Sequence, residues 1–304
     1  MIAYNKIKNG QSNMQIAFHI GVNCTDDDRI LKSLLKNADS FSDDGVKVPG
    51  PGKYRRLIRE TIQNLNGAAP APDTRSILLD AIVDEENVRR LVLSNTNFIC
   101  IPNRVFDQGI LYEQAEAKLT ALHQLFPEDE IELFLSLRNP ATFLPVAFAQ
   151  SKADTTDAYL KGLHPTQIRW SDLVRRIQSN FPMTKLTVWC NEDTPLIWSD
   201  ILRTMSGADD DQKIVGGFDL LASIMSDEGM NRFLNYLRTH PPKSETQKRR
   251  VIAAFLDKYA VEDKIEEVVD LPGMTDDMVE ELSQIYENDV TFIENLPGVN
   301  FLTP

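Results

Sequence analysis

With 304 residues, 42% of them hydrophobic and 8% aromatic, the chain has enough apolar material for a large core and the composition of an ordinary globular protein. A formal net charge of −13 excludes a broad basic footprint, so neither nucleic acid nor an anionic membrane is an expected partner. A small neutral or cationic ligand, or a protein, is easier to accommodate.

Cys24, Cys100 and Cys190 stand far apart without C-x-x-C spacing, which argues against both a disulfide framework and a zinc site. Reduced thiols and a cytoplasmic location are therefore expected, with no metal. Residues 1–15 lack an apolar signal-peptide core, and no stretch approaches the roughly eighteen apolar residues of a membrane span. Nothing in the sequence specifies an oligomeric state.

In chain order, short apolar runs alternate with longer amphipathic ones, the pattern of a mainly parallel sheet flanked by helices. About five strands are predicted, at 14–20, 45–48, 97–101, 130–137 and 185–190. Between them, apolar spacing predicts helices at 26–36, 54–65, 74–82, 114–125, 157–162, 170–180 and 195–205. Turn chemistry supports the cuts, with Pro49-Gly50-Pro51-Gly52 after the second strand and Asn139-Pro140 after the fourth. Beyond Gly207 the strand signals stop. Helices are predicted at 218–224, 227–239, 244–259 and 275–296, without a compositional linker. The expected organisation is an α/β domain over 1–215 and a helical C-terminal extension over 216–304 packed on it.

Chemistry in open parallel sheets collects at the carboxyl ends of strands, and three such places carry notable residues. The first is Gly21 to Asp28. A phosphate-binding loop G-x-x-x-x-G-K-[ST] would have Gly, Lys and Ser/Thr where Asp26, Asp27 and Asp28 stand. These acids read either as a remodelled pocket or as a helix start, in which Thr25 or Asp26 caps and its neighbours favour the helix dipole. Consecutive acids on a helix point in different directions and cannot all meet one ion, so metal-assisted hydrolysis is not expected.

Nearby, His19 is a candidate general base or a satisfied core histidine. Cys24 is a candidate thiolate at a helix start, although adjacent acids oppose its ionisation. Arg55 lies in a basic loop-to-helix junction suited to an anion or to neighbouring acids. After the fifth strand, Trp189, Glu192 and Asp193, with Trp198, form either a cradle for a cationic or sugar-like ligand or a core-and-cap arrangement.

The order of elements and two short motifs resemble the P-loop sulfotransferase family. That family's first motif is close to H-I-G-x-x-K-T-G-T-T, and His19, Ile20, Gly21 and Thr25 agree with it, while Cys24 takes the lysine position and Asp26 a glycine position. Its second motif is an Arg-Asp-Pro turn followed by a serine; here Arg138-Asn139-Pro140 keeps the arginine and proline, and Val146 replaces the serine. The resemblance implies a P-loop-type three-layer α/β fold and sulfuryl transfer from 3′-phosphoadenosine 5′-phosphosulfate to a small hydroxyl or amine acceptor. Gly21, Asn23, Cys24, Thr25 and Arg138 would then face the donor, His19 would act as base, and Arg55, Trp189, Glu192 and Asp193 would face the acceptor. The departures at Cys24, Asp26 and Val146 fall on ligand-contacting positions. They imply a degenerate donor site, and the alternative is a non-catalytic binding or interaction protein that keeps the fold.

Overall fold

A computed structural model describes residues 14–84, 87–209, 212–267 and 269–304, so the residues read above for a signal peptide lie mostly outside the described part. The architecture is α/β, with one six-stranded, all-parallel sheet. Its strands are β1 (Gln15–Gly21), β2 (Val46–Lys47), β3 (Arg90–Ser94), β4 (Glu130–Leu137), β5 (Lys185–Cys190) and β6 (Val299–Leu302). Spatially they run β2-β3-β1-β4-β5-β6. The inner strands are nearly continuous apolar runs, as burial on both faces requires.

Alternate residues of each strand feed two cores. Ile16, Phe18, Leu93, Leu133 and Val188 pack on one face against the helices Pro51–Leu65, Thr74–Ile82, Ala115–Leu125, Trp170–Asn180 and Asp276–Glu294. Ala17, Val92, Phe134 and Trp189 pack on the other against Arg29–Leu35 and Thr194–Ser206. The outcome is three layers. A smaller cluster built on Leu221, Phe233 and Ile252 joins the helices Asp219–Ile224, Asp227–Thr239 and Glu245–Tyr259.

The sheet differs from the sequence reading in two strands. The third strand is Arg90–Ser94, not 97–101. An arginine is ordinarily exposed, yet Arg90 at the start of this strand is buried because Glu132 on β4 meets its guanidinium at 2.6 Å and the Met205 carbonyl accepts from its Nε at 2.9 Å. The apolar segment expected to be that strand instead forms a loop whose Phe98 and Ile99 fill the core. The additional strand, β6, extends the β5 edge. At four residues behind a long helix, it gives no periodic signal. The helix Pro140–Ala149 also gives no periodic signal, because it is apolar on nearly every side and contains Pro145.

Topology places the site. From β1 the chain turns toward the β2 edge, whereas from β4 it turns toward β5, so the carboxyl ends of these adjacent strands face a crevice at a topological switch point.

Candidate functional site

The loop after β1 is filled by its own side chains. Gly21 sits at φ +115°, where a Cβ would lie 3.1 Å from the Thr96 carbonyl oxygen, so the position demands glycine. The next amide, Val22 N–H, donates to the Ser136 carbonyl of β4 at 2.9 Å. Asn23 then turns inward. Its Nδ2 donates to Asn97 Oδ1 at 2.7 Å and to the Thr96 and Cys100 carbonyls at 3.1 Å each. Its Oδ1 accepts from Tyr112 Oη at 2.6 Å, and that Oη accepts from the Asn23 N–H at 2.9 Å.

The helix start is also self-satisfied. Thr25 Oγ1 donates to the Val22 carbonyl at 2.8 Å, and Asp26 Oδ1 accepts from the Ile30 N–H at 2.7 Å. Of the two capping candidates, Asp26 therefore takes the amide. Its other oxygen, Oδ2, is buried without a partner among the described residues, and desolvation raises its pKa to about 6. Asp28 is engaged differently: Arg55 grips it with two bonds of 2.9 and 2.5 Å and also donates to the Ser94 carbonyl. The Arg55 junction thus meets an acid of the loop itself.

His19 lies beneath this arrangement, fully buried. Its Nδ1 pairs with Ser94 Oγ at 2.9 Å, its ring stacks on Trp189 at 5.8 Å, and Nε2 has no partner among the described residues. Burial first, with the nearby Arg55 charge second, lowers its pKa to about 4, so the ring is neutral near pH 7. For Cys24, burial pushes the thiol up to about 11, which makes it a poor nucleophile at neutral pH.

At the end of β4, the Arg138 guanidinium donates to the Cys24 carbonyl and to Thr142 Oγ1, and faces Glu267 at 3.3 Å. Glu267 follows the short helix Glu262–Ile265, so an acid from the C-terminal part of the chain reaches the arginine of the second motif. At the end of β5, Glu192 accepts from the Asn139 N–H at 2.7 Å and from Tyr286 Oη at 2.9 Å, with its pKa raised by burial. Asp193 also has its pKa raised by burial. Trp189 is buried in the core, and Trp198 is fixed by an Nε1 bond of 3.0 Å to the Gly216 carbonyl.

Above the crevice lies a cavity of about 480 Å³, within the range of small-molecule sites. It brings together Thr25, Asp26, Arg138, Val146, Trp189, Glu192 and Trp198 from the residues singled out in the sequence. His19, Gly21, Asn23, Cys24, Arg55 and Asp193 do not line it. Sequence reasoning missed Ser136, Thr194 and Lys264 as lining residues. Ser136 had a signal, as a hydroxyl near the carboxyl end of an otherwise apolar strand. The others had none.

Among the described residues, no group of three or more His, Cys, Asp or Glu side chains is arranged to hold a metal ion. No helix among them is long and apolar enough to cross a membrane.

No family model matches the chain, and no curated protein matches it. Among solved structures, the sulfotransferase domain from the Synechococcus PCC 7002 olefin synthase is similar at 11% identity, over 95% of this chain and 98% of that one, with a TM-score of 0.36.

Proposed function

We propose that this protein keeps a sulfotransferase-like α/β scaffold but works by binding a small molecule in the crevice cavity, not by sulfuryl transfer. The observation that carries this reading is the occupancy of the β1 loop by Asn23 and Asp26. A phosphosulfate group needs free N–H donors and a cation at such a loop. Here the Ile30 amide is taken by Asp26, the Asn23 amide by Tyr112, and the lysine position by a neutral thiol. Arg138, the arginine expected to hold the donor's 3′-phosphate, already meets the Cys24 carbonyl and Glu267. These residues do not fit 3′-phosphoadenosine 5′-phosphosulfate.

Support also comes from His19, which is sealed below the cavity with Nδ1 bound to Ser94 and has no route to a substrate hydroxyl. We read 1–215 and 216–304 as one working unit, since residues of both parts line the cavity. Thermal unfolding with 3′-phosphoadenosine 5′-phosphosulfate and with 3′,5′-bisphosphoadenosine tests the reading, because any ligand of the native state raises its stability. No shift in midpoint is expected with either. A saturable rise that is lost in Arg138→Ala would overturn it.

A further inference from the structure

We infer that the crevice cavity takes a small hydroxylated amine, with its ammonium group on the free oxygen of Asp26 and its hydroxyl groups on Ser136 and Thr194. The inference rests on the small-molecule reading above and names the chemistry of the ligand.

Three cavity-lining side chains are more than nine-tenths buried: Asp26 at 6%, Ser136 at 2% and Thr194 at 8% exposure. Each has an oxygen without a hydrogen-bond partner among the described residues, namely Asp26 Oδ2, Ser136 Oγ and Thr194 Oγ1. Buried polar atoms are nearly always paired, so three orphans on one cavity mark a place where a ligand completes the bonding. Their chemistry is not uniform. A carboxylate oxygen accepts only, whereas the two hydroxyls both donate and accept. A protonated amine answers the first and alcohol groups answer the others.

Charge favours a cation over an anion at this depth. Four acids, Asp26, Glu192, Glu266 and Glu267, line the cavity against three bases, Arg29, Arg138 and Lys264, and Arg138 is already engaged by Glu267. Asp26 is a buried carboxylate with one amide bond, offset by the nearby Arg29 charge and opposed by those of Asp27 and Asp28, a state that an ammonium group relieves and a phosphate or sulfate worsens. The apolar part of the wall includes Ile30, Trp198, Leu220 and Ile224. With its N–H tied to Gly216, the Trp198 indole offers only ring surface, which suits the carbon skeleton of an amino alcohol or amino sugar and attracts a nearby cation.

The test is calorimetric titration of the full chain with serinol and glucosamine, beside their uncharged counterparts glycerol and glucose, and with 3′,5′-bisphosphoadenosine. At least one amine should bind about tenfold more tightly than its neutral counterpart, a selectivity read on the unmodified protein. Asp26→Asn should reduce that affinity by about tenfold, and Thr194→Val should weaken it severalfold. Asp26→Asn keeps the cap, since its amide oxygen accepts from Ile30, and circular dichroism verifies the fold. Absence of amine binding, equal binding of amine and alcohol, or indifference to Asp26→Asn overturns the inference and leaves the closed-loop reading standing while the nucleotide is silent. Binding of the nucleotide overturns both.

Discussion

Tyr112 and Asn23 hold each other through two hydrogen bonds, the Tyr112 hydroxyl donating to Oδ1 at 2.6 Å and accepting from the Asn23 N–H at 2.9 Å. A single buried phenol thereby occupies an amide that an anion would need and fixes the side chain that fills the loop.

Tyr112→Phe should lower global stability by about 2–4 kcal/mol, because it leaves both an amide N–H and an amide oxygen unpaired in a buried site. Chemical denaturation measures this loss. If stability changes by less than the effect of an ordinary surface substitution, the loop is not held closed by this pair.

Arg138 and Glu267 should be unequal partners when each is changed. Glu267 is partly exposed, and such ion pairs contribute about 0–1 kcal/mol, so Glu267→Gln should be close to neutral. Arg138→Ala removes the donor to the Cys24 carbonyl and Thr142 and should cost about 2 kcal/mol or more. Equal losses in urea unfolding would show instead that the ion pair dominates.

Acid should act on His19 and Asp26 in opposite directions. His19 has its pKa lowered from 6.5 to about 4, so below pH 6.5 the unfolded chain gains a proton that the folded chain refuses, and stability is lost as pH falls through this window. Asp26 has its pKa raised from 3.8 to about 6, so the folded chain gains the proton first and stability is recovered as pH falls from about 6 to 3.8. Each contribution is on the order of 3 kcal/mol, and between pH 4 and 6 they largely offset. Relative to the parent protein, His19→Asn should gain stability toward pH 4. Asp26→Asn should be the more stable at pH 7 and lose that advantage on acidification. Denaturation midpoints across this range decide the signs.

The parts of the fold visible in the sequence are those with local causes. β4, β5 and the helices Thr74–Ile82 and Trp170–Asn180 fall where apolar spacing puts them, since each buries a continuous run or one stripe. β3 escaped because its first residue is an arginine whose burial depends on a glutamate 42 positions away. Removing that arginine, as in Arg90→Met, should cost about 3–5 kcal/mol, since it leaves Glu132 without the closest of its cations.

Even less of the candidate site was legible. The substitutions at Cys24 and Asp26 could be seen, but not what replaces the ligand. Asn23 finds its partners 73 to 89 residues along the chain, and Arg138 meets a glutamate 129 residues away. No window of sequence reports such pairings. Thr194 likewise becomes notable only through the absence of a partner among the described residues, which is a property of three dimensions.

The claim on which the rest depends is that the loop after β1 is closed to a phosphosulfate donor. Its most direct test is titration of isotope-labelled protein with 3′-phosphoadenosine 5′-phosphosulfate, following the backbone amide resonances of Asn23, Cys24 and Thr25. The account predicts that these resonances do not move up to millimolar donor. Saturable shifts at micromolar donor, abolished by Arg138→Ala, would contradict it.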